Sequence, residues 1–246
     1  MIQIDNCSEF TCNDDQINKL INSLDKNFSI AQLICYFVLK INIEKSRSKS
    51  ITIEVKKEIL DYLFEQYELT GEIELEEYNE IKDCLINFLP EISGKFLEIL
   101  VAKIGPFTEL SECNYDKCFE SKVYHESINS NHNFDVIFFD KISTQYIESK
   151  NRIQIDTLTE FHECKNNICN WLPCNMREFF CLPKYNDAKN KLLFIKKVHK
   201  ITKHDGRFYM PTFAYNVRAR QECLDRNKYS FIKIINIEDL LQKISN

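Results

Sequence analysis

The apolar residues of this chain change their period once, and that change limits the folds open to it. From residue 13 to about 90 they recur at helical spacing, with Ile17, Leu20, Ile21 and Leu24 forming a stripe. SIAQLICYFVLKI is apolar nearly all round and predicts a buried helix; VKKEILDYLFEQYEL and EEYNEIKDCLINFL predict two amphipathic ones. Leu89-Pro90 marks a boundary, and SGKFLEILVAKIG is a further helix ended by Gly105-Pro106. Beyond it the pattern turns to strands. KVYHESI is short and alternating, NSNHN reads as a turn, and FDVIFFDKI is a strongly apolar strand. RIQIDTLTEFHECKN follows as a long extended segment. Residues 185–201 return to helical period; GRFYMPTFAY and YSFIKIINI close the set as strands before a short helix, EDLLQKI. The expected architecture is α+β or α/β: a helical module over 1–90, then a three-layer core over 91–246 with a central mixed sheet flanked by helices.

Composition narrows the setting. No run of about 18 apolar residues occurs, so no membrane span or membrane partner is expected. The N-terminus, MIQIDNCSEF, lacks a basic region followed by an apolar stretch, so it does not read as a secretory signal. Eleven cysteines, an odd number, then fit reduced thiols in a cytoplasmic protein. Cys35, within QLICYFVL, reads as a small core hydrophobe. Cys164, Cys169, Cys174 and Cys181 form the densest group, but no tight C-x2-C pair exists, which weakens a zinc-stabilised binding module. Charge is divided unevenly. Residues 1–150 carry 27 acids and 15 bases, whereas 151–246 carry 10 acids and 17 bases. A basic C-terminal part suggests nucleic acid as partner; the acidic part argues against such contact there and suits protein subunits or a homodimer through the N-terminal helices. The plainer alternative is that the basic part docks on the acidic part.

Five Glu-x-Lys triplets occur, more than the roughly two that chance gives at this composition, so context must choose among them. Glu54/Lys56 and Glu80/Lys82 sit in helical stretches, where i and i+2 do not share a face. Glu120/Lys122 precedes every candidate partner strand, and Glu148/Lys150 follows Tyr-Ile in a polar stretch that reads as a loop. Glu163/Lys165 ends an extended segment, where both side chains share a face. Upstream, Asp135 interrupts an apolar run from Phe134 to Phe139; a buried carboxylate is costly unless paired or metal-bound, though Asp135 could also lie at an exposed strand start. Glu98 lies on the preceding helix between the small residues Gly94 and Ala102 at i−4 and i+4, or else it is a solvated edge of the apolar stripe.

A helix bearing an acid, a strand bearing an Asp, and a strand ending in Glu-x-Lys resemble the PD-(D/E)XK, or restriction-endonuclease-like, nuclease superfamily. FDVIFF and FHECKNN carry the resemblance, which spans about 93–237. It implies a metal-dependent nuclease that hydrolyses phosphodiester bonds of DNA. Asp135, Glu163 and the main-chain carbonyl of Cys164 would hold Mg²⁺ or Mn²⁺. Lys165 would orient the attacking water, and Glu98 would bind a second ion or a metal-bound water. The family's Pro before the Asp is replaced by Phe134, and Asp156 competes with Asp135 for the ligand role. By analogy the chain would serve a phage-defence or restriction complex. The alternative is a non-catalytic interaction subunit that keeps the nuclease fold.

Substrate holding points to Lys189, Lys196, Lys200 and Lys203, spaced to form one stripe on and just past the helix 185–201, with Leu192, Ile195, Val198 and Ile201 directed to the sheet. Such a stripe is either a phosphate track or a plain solvated face. His199 and His204 lie in the same basic region.

Overall fold

The computed structural model describes residues 2–5, 14–47, 50–68, 72–110, 114–125, 130–141, 143–149, 194, 197–200, 205–214, 217, 218, 221, 222, 225 and 230–245. They form two compact units. One comprises Met1–Phe10 with Gly105–Asn236, the other Thr11–Ile104 with Ile237–Asn246.

The second unit is helical: α1 (Asp15–Ser23), α2 (Phe28–Arg47), α3 (Ile53–Glu68), α4 (Leu75–Asn87), α5 (Ser93–Ile104) and the C-terminal α6 (Ile237–Ser245). α1 starts where Asp14 can cap it, its carboxylate accepting from the N–H groups of Gln16 and Ile17 at 3.0 Å. α2 is buried on nearly every side, as its uninterrupted apolar run requires; Ile30, Leu33, Phe37 and Val38 are fully enclosed. Burial pushes the Cys35 thiol up to about 12, so it packs as a hydrophobe. Lys56 of α3 is buried too: its ammonium donates to the carbonyls of Ile86 (3.2 Å) and Phe88 (2.8 Å), which end α4 without intrahelical partners.

Three segments fall in units other than those expected from the sequence, the first being Met1–Phe10, which joins the other unit and not the helices. α5, assigned above to 91–246, packs with the helices because Phe96, Leu97, Ile99 and Leu100 are buried and Lys103 donates to the carbonyl of Ile21 (2.9 Å). The closing helix α6 likewise lies against α2 and α5. No helix among the described residues is long and apolar enough to cross a membrane.

The sheet unit holds six strands in sequence order: β1 (Ile2–Asp5), β2 (Asp116–His125), β3 (Ser130–Phe139), β4 (Ser143–Ile147), β5 (Asp205–Pro211) and β6 (Ile232–Ile235). β1 to β4 are antiparallel neighbours, and β4, β5 and β6 are parallel, so the sheet is mixed. One face carries a core of Phe134, Ile137, Tyr146, Phe208, Met210, Ile232 and Ile234; Phe194 and Val198, from a helical stretch, pack into it. Tyr146 stacks on Phe208 (4.7 Å, 13°), which fixes the middle of β4.

The sequence-predicted turn NSNHN is not one: Ser130–Asn133 belong to β3 and pair with β2 from His125 to Lys122. β1 and β4 are strands that periodicity missed. The expected third strand, RIQIDTLTEFHECKN, lies outside the described residues, and β4 is the third strand after α5 in the structure. Cys118 departs from the expectation of reduced thiols, being half of a disulfide.

Candidate metal centre

The hairpin of β3 and β4 is tied at both ends by an aspartate and a serine. At the turn, Asp140 accepts from the Ser143 N–H (2.6 Å) and from its hydroxyl (3.1 Å and 3.0 Å to the two carboxylate oxygens). The Asp140 N–H returns a bond to the Ser143 carbonyl at 3.0 Å. Short polar side chains that bond nearby backbone are what such turns select.

At the open end, the Asp135 carboxylate accepts from the Ser149 N–H at 2.6 Å. Ser149 is the middle residue of Glu148-Ser149-Lys150. The ladder explains the meeting. Val136 pairs with Ile147, and one step further the antiparallel register brings Asp135 level with Glu148. Opposed residues on antiparallel strands share a face at a Cα separation of about 4.5–5.5 Å. Glu148 is not a loose loop residue, since its N–H donates to the Tyr209 carbonyl (3.1 Å) and continues the parallel pairing with β5. Alternation puts it on the side of Tyr146, whose phenol is raised well above its usual range by burial and so stays protonated.

A second acid stands at this level. Phe119↔Val136 and Ser121↔Phe134 leave Glu120 opposite Asp135. Its φ of 46° is the left-handed region, sparsely used by a residue with a side chain, and costs roughly 1–2 kcal/mol. The same place breaks the strand alternation. Cys118 and Val123 share one core, as do Phe134 and Ile137, although each pair is separated by an odd number of residues.

The donor chemistry fits a hard divalent cation, for which carboxylate oxygens are preferred ligands. Among the described residues, no three His, Cys, Asp or Glu are gathered closely enough to hold a metal ion. Asp135 and Glu148 are two acids at one level of the hairpin, joined through the Ser149 N–H on the Asp135 carboxylate.

Glu163, Cys164 and Lys165 lie outside the described residues, as do Asp156, Lys150, Lys189, Lys196, Lys203, His204 and the cysteines 169, 174 and 181. Glu98 is described: it lies on α5, in the helical unit, and pairs with Lys95 at 3.3 Å. Lys200 is helical and exposed, and Val198 beside it is buried in the sheet core. His199 stacks on Phe231 (4.4 Å, 17°). Glu148 and Glu120 were passed over in the sequence. The signal that could have found Glu148 was the Asp-to-Glu spacing across a plausible hairpin, with Asp140 and Ser143 as its turn.

No family model and no curated protein matches the chain. Among solved structures, the crystal structure of protein VC1899 from Vibrio cholerae is similar at a TM-score of 0.42 and 11% identity. The match covers 99% of this chain and 57% of that one, so the chain spans a little over half of that protein's length.

Proposed function

We propose that the chain is a metal-dependent nuclease of the PD-(D/E)XK kind, with Asp135 and Glu148 as the metal-holding carboxylates and Glu148-Ser149-Lys150 as its Glu-x-Lys. The observation that carries this reading is the bond from the Ser149 N–H to the Asp135 carboxylate, which joins the lone acid of β3 to a Glu-x-Lys at the end of the next strand. In the sheet unit, the order β2, the Asp-bearing β3 and β4, with Glu148 directly after it, followed by the parallel strands β5 and β6, supports a restriction-endonuclease-like core.

Asp135 and Glu148 would hold Mg²⁺ or Mn²⁺, which when bound supplies a Lewis acid and lowers the pKa of water for attack on phosphorus. The residues do the positioning. The ladder bond from the Glu148 N–H to the Tyr209 carbonyl holds the Glu148 backbone, and the Ser149 N–H holds the Asp135 carboxylate beside it. Lys150 supplies the ammonium that offsets charge on the reacting phosphate. The substrate is DNA, drawn by the excess of bases over acids in 151–246, with exposed Lys197 and Lys200 on the helical stretch that packs on the sheet.

The test is cleavage of duplex DNA, single-stranded DNA and RNA with Mg²⁺, with Mn²⁺ and with EDTA, for the wild type and for Asp135→Asn, Glu148→Gln and Glu163→Gln. Loss of cleavage in the first two variants and in EDTA, with Glu163→Gln active, is expected. Full activity in Glu148→Gln and none in Glu163→Gln would move the site to the segment around residue 163. No metal-dependent cleavage of any substrate by the wild type would favour a non-catalytic subunit.

A further inference from the structure

The turn of the β3–β4 hairpin and the start of β2 border an open groove of about 490 Å³, lined by Asn114, Tyr115, Asp116, Phe139, Asp140 and Lys141. Sites for small organic ligands commonly measure about 300–1,000 Å³, so the groove has room for one such group. All six residues belong to the sheet unit. Tyr115 is 41% exposed, and among the described residues of that unit no other large apolar side chain is so open. Its ring is nonetheless held, meeting buried Phe138 edge to face at 5.9 Å and 72°. Phe139 adds a second, half-buried ring to the lining. Asp140 gives its carboxylate to the N–H and hydroxyl of Ser143, whereas Asn114, Asp116 and Lys141 are exposed.

An aromatic ring held in place with much of its surface in solvent is a stacking platform for a flat partner, and every nucleobase has a π-face to offer it. The polar groups beside the ring match the rest of a nucleotide. A carboxylate accepts from the exocyclic amine of cytosine or adenine, an amide both donates to and accepts from a base edge, and an ammonium suits a phosphate. Inside a duplex the base faces are covered by their neighbours, so the occupant is an unpaired base. We propose that this groove is a subsite for an unpaired base bearing an exocyclic amine, cytosine or adenine, in a DNA single strand. Tyr115 stacks on the base, Asp116 accepts from its amine, and Lys141 meets the adjoining phosphate. Phe139 stands four positions along β3 from Asp135, about 14 Å at the rise of a strand, which sets the base a few nucleotides from a phosphate at Asp135. The proposal rests on the reading of DNA as the substrate.

The experiment is fluorescence anisotropy of labelled oligo(dC) and oligo(dT) with the full chain in EDTA, so that binding is read without cleavage. The set is wild type, Tyr115→Leu, Tyr115→Trp and Asp116→Ala, each shown to be folded by its thermal midpoint. Wild type should bind oligo(dC) more tightly than oligo(dT), which has no exocyclic amine. Tyr115→Leu keeps apolar bulk against Phe138 but no ring, and should weaken both strands by about tenfold. Tyr115→Trp should bind at least as tightly as wild type. Asp116→Ala should erase the preference for oligo(dC) while oligo(dT) binds as before. Wild-type affinity in Tyr115→Leu, or a loss in Tyr115→Trp equal to that in Tyr115→Leu, overturns the stacking platform. A wild type without preference, or a preference that survives in Asp116→Ala, overturns the contact with the amine. Displacement of oligo(dC) by an equal concentration of dCMP makes a free nucleotide the occupant and removes the strand. No binding of either strand ends the proposal, and the nuclease reading is then judged apart from it, by Mn²⁺-dependent cleavage of duplex DNA with the same samples.

Discussion

Asp140–Ser143 and Asp135–Ser149 are the same chemical pair at the two ends of one hairpin, yet they are bonded differently. Asp140 collects every donor that Ser143 can offer and closes a turn. Asp135 takes one donor from Ser149 and stands level with Glu148. Sequence position does not separate the pairs; what surrounds each carboxylate does. A carboxylate in a turn is best used when local N–H and O–H groups fill it. A carboxylate level with a second one across a ladder meets a like charge at cross-strand spacing, an arrangement that a bound cation relieves.

The widest gap should appear in catalysis. Asp135→Ala and Glu148→Gln should each lower metal-dependent cleavage by roughly 10³-fold, about 4 kcal/mol of barrier, in single-turnover assays. Asp140→Ala should leave the rate per folded molecule within a few-fold of wild type. Equal losses in the two aspartate variants would erase the distinction between the pairs.

Stability should reverse the ranking. Asp140→Ala removes the acceptor for the Ser143 N–H and hydroxyl, and should cost about 2–3 kcal/mol in urea unfolding. Asp135→Asn, which keeps an acceptor oxygen for the Ser149 N–H, should change stability by less than about 1 kcal/mol in metal-free buffer. A larger loss for Asp135→Asn than for Asp140→Ala would make Asp135 the structural member.

The smallest effect should come from pH. Glu80 and Glu91 are held below the usual carboxylate range, each chiefly by a hydrogen bond from a lysine, Lys26 and Lys45 respectively. A carboxylate with a depressed folded pKa adds stability above its unfolded value of 4.5 and loses it as pH falls through the folded value. Both groups are exposed, so only a small part of the acid-induced loss in the helical unit belongs to them. Lys26→Met with Lys45→Met should flatten unfolding midpoints slightly below pH 4.5, while the Asp–Ser pairs keep their ranking. A change of ranking there would show that the two units do not report separately.

The helices were legible because their stripes are long and capped. β3 was legible because Phe134, Val136, Ile137 and Phe138 are all buried strand formers. β4 was not, and with it went Glu148. STQYI looks like a polar loop because Ser143 and Gln145 are buried, at 6% and 1% exposure. Gln145 can be buried only because its amide donates to the Thr108 carbonyl (2.6 Å) and accepts from the Phe107 N–H (2.9 Å), contacts from 37 and 38 residues away. Periodicity has no access to such long-range satisfaction. Asp135 stood out because a lone acid in an apolar run is conspicuous. FHECKNN, where its partner was sought, lies outside the described residues, among which the ladder pairs Asp135's strand with β2 and β4.

The helical unit is assembled from two stretches of chain, Thr11–Ile104 and Ile237–Asn246, with the strands between them. During translation α1 to α5 emerge first and must wait for some 130 residues before α6 arrives to cover Leu240 and Leu241 against them. β1, by contrast, leaves the ribosome before its partner β2 exists. Each unit is thus incomplete for most of synthesis, and a chain truncated ahead of α6 would leave apolar surface on α2 and α5 for chaperones to find, even with every strand of the sheet already made.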